Sequence, residues 1–169
     1  MLILLYVISK SSVPLVIDAD GINVLAKSKT YLLEKHAPII LTPHIQEMAR
    51  LTEKTKETIM KNPMEEAKSF TDEYNVTLVL KDAITIVTKN QELLYVNTSG
   101  NSGMATGGSG DVLAGIIGGL IAQKMDVFEA AKLGVYLHGS AGDAAARVKG
   151  SYSMLATDIL DGIAEVTRG

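Results

Sequence analysis

From Asn97 to Asp111 the chain reads Asn-Thr-Ser-Gly-Asn-Ser-Gly-Met-Ala-Thr-Gly-Gly-Ser-Gly-Asp, and eight of its 15 glycines fall between Gly100 and Gly119. Gly107, Gly108 and Gly110 leave backbone N–H groups uncovered, and Asp111–Gln123 behind them reads as a buried helix. A glycine loop opening onto a helix N-terminus gathers unpaired N–H donors at the positive end of the helix dipole, which suits an anion. A tight turn followed by a capped helix is the plainer alternative. The length of the loop, its hydroxyls (Thr98, Ser99, Ser102, Thr106, Ser109) and the single acid at its mouth, Asp111, favour a phosphate.

Other residues could complete such chemistry. Lys81 ends an apolar run and could meet a phosphate, or be a solvated lysine; Thr85 could add a hydroxyl to a nucleotide, or be a strand residue. Asp18 and Asp20 close another apolar run, at the strand end where ligands gather in open parallel sheets. His44 and Glu47 are three apart and share one helical face, and Glu47 could serve Mg²⁺ through water. Zinc is disfavoured, since no cysteine or suitably spaced third ligand joins that pair. His36 reads as a surface residue and His138 as a hydrogen-bonded core histidine, while Asp143 in an apolar helix requires partners if buried. An anion hole, a lysine and an acid able to take a proton from a hydroxyl together suit phosphoryl transfer. No Walker A pattern is present, so a P-loop enzyme is excluded.

The elements that must position these residues alternate between strand and helix. Strands are expected at 15–20, 37–41, 76–80, 83–88 and 93–96, with a hairpin turn at 89–92. Helices are expected over 22–27, from His44 to Leu51, at Pro63–Tyr74 with Met64, Ala67 and Phe70 or Thr71 on one side, over 127–148, and over 155–167. Thr42 suits an N-cap with Pro43 at the first helical position, and Ser153 or Thr157 could cap the last helix. Strands alternating with helices give an α/β layered domain. The 169 residues are read as one domain, 1–169.

The net charge of −3 gives no reason to expect a nucleic-acid partner. The chain has no cysteine, which rules out disulfides and thiolate metal sites and suits a reducing compartment. The apolar start, Met1–Ile8, is too short to span a bilayer and lacks a basic flank or cleavage site, so a cytoplasmic location is expected, without a membrane partner.

Four segments occur together in order: Val16-Ile-Asp-Ala-Asp-Gly-Ile-Asn23, Leu41-Thr-Pro-His-Ile-Gln-Glu-Met-Ala-Arg-Leu51, Val79-Leu-Lys-Asp82 and Asn101-Ser-Gly-Met-Ala-Thr-Gly-Gly-Ser-Gly-Asp-Val-Leu-Ala-Gly115. In them the chain resembles the ADP-dependent NAD(P)H-hydrate dehydratases of the ribokinase-like superfamily, from about Leu15 to Ile163. The resemblance implies a three-layer α/β/α ribokinase-like sandwich with a mostly parallel sheet. It implies dehydration of hydrated NADH and NADPH (NADHX and NADPHX), with ADP or ATP as co-substrate and Mg²⁺ as cofactor. The hydroxyl of the hydrate is phosphorylated and phosphate is then eliminated. Asp111 would contact the hydrate and act as base. Lys81, Asp82, Ala83, Ile84 and Thr85, with Gly107, Gly108 and Gly110, would hold the nucleotide. His44, Asp20 and Asn23 would face the hydrated dinucleotide. A homo-oligomer, commonly a tetramer, is also implied.

The superfamily's sugar and vitamin kinases usually carry Asn at the position of His44, so this residue favours the dehydratase over a small-molecule kinase. The chain departs from the family at Ile45-Gln46, where Pro-Gly is common, and at Asp82, where Gly is common. Members carry several further N-terminal strands and helices. The expectation is therefore a chain lacking that portion, and a nucleotide-binding fragment without turnover is a third reading.

Overall fold

Three short runs rich in branched apolar residues form parallel strands: β1 (Leu15–Ile17), β2 (Ile39–Leu41) and β3 (Thr77–Leu80). Leu15 lies opposite Ile39 and Ile17 opposite Leu41, while Ile40 pairs with Thr77 and Leu41 with Leu78. Every residue of β2 and β3 is buried, as in strands covered on both faces. Residues 81–84 turn the chain back into antiparallel β4 (Thr85–Lys89), which sets Thr77 opposite Lys89 and Leu80 opposite Ile86. With β5 (Tyr95–Asn97) the sheet order is β1-β2-β3-β4-β5.

The structure, a computed structural model, describes residues 2–90 and 94–168. Gln91, Glu92 and Leu93, part of the expected hairpin turn and of the strand after it, lie outside the described residues. The chain divides into two compact units, Met1–Val96 and Asn97–Gly169. Among the described residues no helix is long and apolar enough to cross a membrane.

In the first unit, helices supply the apolar cover of the sheet. They are α1 (Leu2–Lys10), α2 (Asp20–Leu25), α3 (Ile45–Thr52), α4 (Lys56–Lys61) and α5 (Pro63–Tyr74). Leu5 and Ile8 of α1, Ile22 and Leu25 of α2, Met48 and Leu51 of α3 and Ile59 of α4 join one core with Ile39, Leu41, Leu78 and Leu80. The buried stripe of α5 is Ala67, Phe70, Thr71 and Tyr74, at the spacing of one helical face. Met64, expected on that stripe, is 49% exposed, since nothing in the first turn of α5 reaches the core. β1 also ends sooner than the sequence suggests. Ala19 takes a φ of +48°, which breaks the strand after Ile17 and makes Asp20 the first residue of α2.

The second unit is built from α6 (Ser109–Ala122), α7 (Val127–Lys149) and α8 (Ala156–Val166), preceded by a 3₁₀ turn at Ser102–Met104. Its core is formed by Ala141, Ala145, Met154 and Ile159. The buried helix expected after the glycine loop is buried along one narrow line, Ser109, Leu113 and Ile117, spaced by four. Neither Ser153 nor Thr157 caps α8; the N–H of Leu155 donates to Asp158 Oδ2 at 2.8 Å. Small residues let the helices approach closely. A Cβ on Gly162 would overlap the carbonyl oxygen of Ala141, and one on Gly134 would lie 2.6 Å from Ile117 Cγ1. Within the unit, by contrast, a Cβ on Gly115, Gly118 or Gly119 meets no described atom within 4 Å, so close packing is not what these three provide.

These contacts make two helix glycines behave in opposite ways. Gly162→Ala should destabilise the chain by about 1–3 kcal/mol through overpacking against backbone. Gly115→Ala should stabilise it by about 0.5–1 kcal/mol through helix propensity. Urea unfolding of the two variants checks both signs.

Candidate functional site

Parallel pairing brings the carboxyl ends of β1, β2 and β3 to one edge of the first unit, and Asp18, His44 and Lys81 stand there. The N–H of Lys81 donates to the carbonyl of Pro43 at 2.8 Å, and His44 and Lys81 pair as a parallel bridge that extends β2 and β3. Lys81 Nζ reaches Asp18 Oδ1 at 2.7 Å, with both side chains mostly shielded from solvent. Burial pushes the Asp18 carboxyl up, but the Lys81 ammonium, the Thr42 hydroxyl and the Ala19 N–H outweigh it, holding the group below the usual carboxylate range. Ala19, in a backbone region that non-glycine residues rarely enter, supplies that N–H.

His44, not Thr42, caps α3. Nδ1 of its ring accepts from the N–H of Gln46 at 3.1 Å and of Glu47 at 3.2 Å, and its own N–H donates to Glu47 Oε2 at 2.9 Å. This reciprocal arrangement is a capping box with histidine in place of the usual Ser or Thr. Thr42 is displaced from the capping role because the bridge to Lys81 keeps the chain extended through Pro43 and His44. It is fully buried, with its hydroxyl 3.5 Å from the carbonyl of Ile17.

Around this edge, Asn23 Oδ1 accepts from Arg50 Nη1 at 2.8 Å, tying α2 to α3, and Asp20 is exposed at the start of α2. Asp82, Ala83 and Ile84 are exposed in the turn after Lys81, and Thr85 is half-buried at the start of β4. Asp18, His44, Glu47 and Lys81 are therefore brought together; Asn23 is hydrogen-bonded to Arg50 of α3.

In the second unit, Gly108 precedes α6 with a φ of +91°, a conformation that strains any other residue, and no side chain caps the helix. Gly107 and Gly108 are exposed, Gly110 is half-buried and Asp111 is exposed in the first turn. Asp111 holds no ion pair or side-chain hydrogen bond among the described residues. Ser109 points inward, with its carbonyl 3.0 Å and its hydroxyl 3.2 Å from His138 Nε2, so His138 is a half-buried, hydrogen-bonded histidine. Asp143 has partners that sequence reasoning did not identify: Oδ2 accepts from the N–H of Gly100 at 2.9 Å and Oδ1 from Asn101 Nδ2 at 3.0 Å. The sequence signal available was an aspartate inside an apolar helix, a place that a carboxylate occupies only with donors at hand.

Among the described residues no three His, Asp or Glu side chains group as metal ligands. Glu47 is buried, 5% exposed, with Oε2 on the cap and Oε1 3.5 Å from His44 Nε2. The described residues thus form no closed protein cage for a cation, and both carboxylate oxygens of Glu47 face His44.

A sequence model of the NAD(P)H-hydrate dehydratase family matches residues 1–165. The chain is 47% identical over 156 residues to the bifunctional NAD(P)H-hydrate repair enzyme Nnr of Moorella thermoacetica, covering 92% of this chain and 29% of that protein. It is 44% identical over 132 residues to the ADP-dependent (S)-NAD(P)H-hydrate dehydratase of Neisseria meningitidis, covering 77% and 45%. Among solved structures, the ADP/ATP-dependent NAD(P)H-hydrate dehydratase of Bacillus subtilis, co-crystallized with ATP/Mg²⁺, matches with a TM-score of 0.80 at 30% identity, covering 90% and 53%. A ribokinase-like superfamily protein from Enterococcus faecalis matches with a TM-score of 0.79 at 31% identity, covering 98% and 56%. The fold is therefore the expected ribokinase-like one. The chain spans less than a third of the Moorella protein and about half of these solved ones.

The Asp18–Lys81 pair has a pH signature. A carboxyl held low in the folded state adds stability above its unfolded pKa and loses it as pH falls through the folded value. Stability should therefore drop as pH falls below about 4. Asp18→Asn should cost about 1–3 kcal/mol at neutral pH and flatten that acid limb, measured by urea unfolding across pH.

Proposed function

The chain belongs to the NAD(P)H-hydrate dehydratase family, and we propose that it carries out the ADP-dependent dehydration of hydrated NADH and NADPH. The observation that carries this reading is Asp111: an exposed carboxylate without a partner among the described residues, in the first turn of an uncapped helix behind Gly108. The loop N–H groups of Gly107, Gly108 and Gly110 suit the charge of a transferring phosphoryl group. Asp111 takes the hydroxyl proton of the hydrate while that oxygen bonds to the terminal phosphorus of ADP, and AMP leaves with the electron pair of the broken P–O bond. The new C–O–phosphate linkage then breaks. Phosphate departs with the bonding pair, and a proton lost from the adjacent ring carbon restores the double bond. AMP, phosphate and the repaired dinucleotide are the products.

In the first unit, Lys81 has the charge for nucleotide phosphates, and the exposed turn Asp82–Ile84 with Thr85 supplies the surface beside it. Its ammonium is shared with Asp18, so a phosphate meets a cation already fixed in direction. His44, Asp20 and Asn23 face the hydrated dinucleotide in this reading. Mg²⁺, when bound, neutralises phosphate charge, with Glu47 contributing through water. ADP is the co-substrate by likeness to the Neisseria enzyme, and ATP an alternative by likeness to the Bacillus one. A cytoplasmic homotetramer completes the proposal; sedimentation reports the assembly.

The decisive assay supplies the hydrate, ADP and Mg²⁺ to the full-length protein and follows recovery of dihydronicotinamide absorbance. Recovery with release of AMP and phosphate is expected. A stable phosphorylated product would mark a kinase instead, and nucleotide binding without turnover a non-catalytic fragment. Asp111→Asn should lower turnover by about 10²–10⁴-fold while ADP still binds, and unchanged turnover would remove Asp111 from the mechanism.

A further inference from the structure

Asp143 lies in the middle of α7, a position where aspartate weakens a helix unless something repays its presence. Arg147, four residues on and the ready i,i+4 partner, turns instead to Glu165 at 3.1 Å. Asp143 spends both oxygens on the start of the glycine loop: Oδ2 on the N–H of Gly100 and Oδ1 on the amide of Asn101. That amide also donates to the carbonyl of Gly142 at 3.0 Å, while Asn101 Oδ1 accepts from the N–H of Gly103 at 3.0 Å.

The bonds form a relay. Gly100 has a φ of +107°, which turns its N–H toward the carboxylate in a conformation that would strain any side chain. Asn101 hands the constraint on to Gly103 and so to the 3₁₀ turn Ser102–Met104, which ends four residues before Gly108. Met104 seats this turn, its thioether lying where a Cβ on Gly142 would be. A hydrogen bond to a charged acceptor contributes more than a neutral one, so the carboxylate is the strong member of the set.

We propose that Asp143 is a positioning residue for the anion-binding glycine loop. Through Asn101 it fixes residues 100–104 on α7 and thereby aims the N–H groups of Gly107–Gly110. It touches no ligand itself. The inference rests on the proposed function only in assigning a nucleotide phosphate to that loop.

The test measures hydrogen exchange of loop amides and ADP–Mg²⁺ affinity by calorimetry on the full-length protein. The variants are Asp143→Ala, Asp143→Asn, Asn101→Asp and the double exchange Asp143→Asn with Asn101→Asp. Asp126→Ala serves as a control that weakens the second unit at the N-cap of α7, the far end of that helix from Asp143. In Asp143→Ala, exchange at 100–104 should quicken and ADP affinity should fall, each by about tenfold, the scale of one lost charged hydrogen bond. The double exchange reverses donor and acceptor between the two side chains and keeps acceptors for Gly100 and Gly103. It also sets a carboxylate oxygen against the carbonyl of Gly142 in place of the amide donor, so it should recover part of both losses relative to Asp143→Ala. Asp126→Ala should lower the melting temperature and leave loop exchange and affinity unchanged. The proposal is overturned by unchanged loop exchange in Asp143→Ala, by quickened exchange with full affinity, or by a control that weakens ADP equally. If Asp143→Ala does not fold, Asp143→Asn and the double exchange decide by the same criteria. A protein that binds ADP but never dehydrates the hydrate refutes the proposed function and leaves this test standing; one that binds no ADP overturns both.

Discussion

The chemistry of the first unit depends on strand direction. Because β1, β2 and β3 run parallel, three separate chain segments deliver their carboxyl ends to one edge, and polar residues that would be impossible inside the core become affordable there. The strands themselves are nearly all apolar, and each releases one polar group as it leaves the core: Asp18, His44 and Lys81. Reversing β2 or β3 would send its group to the opposite edge. The antiparallel β4 obeys the same constraint from the other side, since its tight return keeps the exposed turn 82–84 next to Lys81.

The two units handle a shielded carboxylate differently. Asp18 is balanced by a full cation, so desolvation is met by a short ion pair with added neutral donors. Asp143 is met by neutral N–H donors from a backbone amide and a side-chain amide. An ion pair fixes a charge in place but leaves the lysine able to exchange one anion for another. Amide donors instead hold a backbone shape. The first arrangement keeps a cation at the sheet edge, and the second keeps a loop in its form.

Elements set by local periodicity were legible. α5 spans the residues that its pattern gives, and α7 ends one residue beyond its expected end at Val148, because both depend on neighbours within four positions. The cap of α3 was not. Thr42 is the better capping type, but where the helix starts depends on where β2 stops, and Lys81, far along the chain, decides that. The Asp18–Lys81 pair spans 63 residues and the Asn101–Asp143 bond 42, separations over which composition and spacing carry no signal. The glycine loop was legible from residue types alone as a turn opening onto a helix; what holds it in shape was not.

The cap on α3 carries a consequence for molecular recognition. Since Nδ1 of His44 already receives two backbone N–H groups, its lone pair is spent inside the protein and the ring proton must sit on Nε2. The half-exposed ring therefore has no free lone pair, and its one N–H lies 3.5 Å from Glu47 Oε1. Position 44 is a donor only: it cannot ligate a metal or pull a proton without uncapping its helix. The side chain that begins α3 would thus meet any partner as a donor, with Glu47 competing for the same N–H.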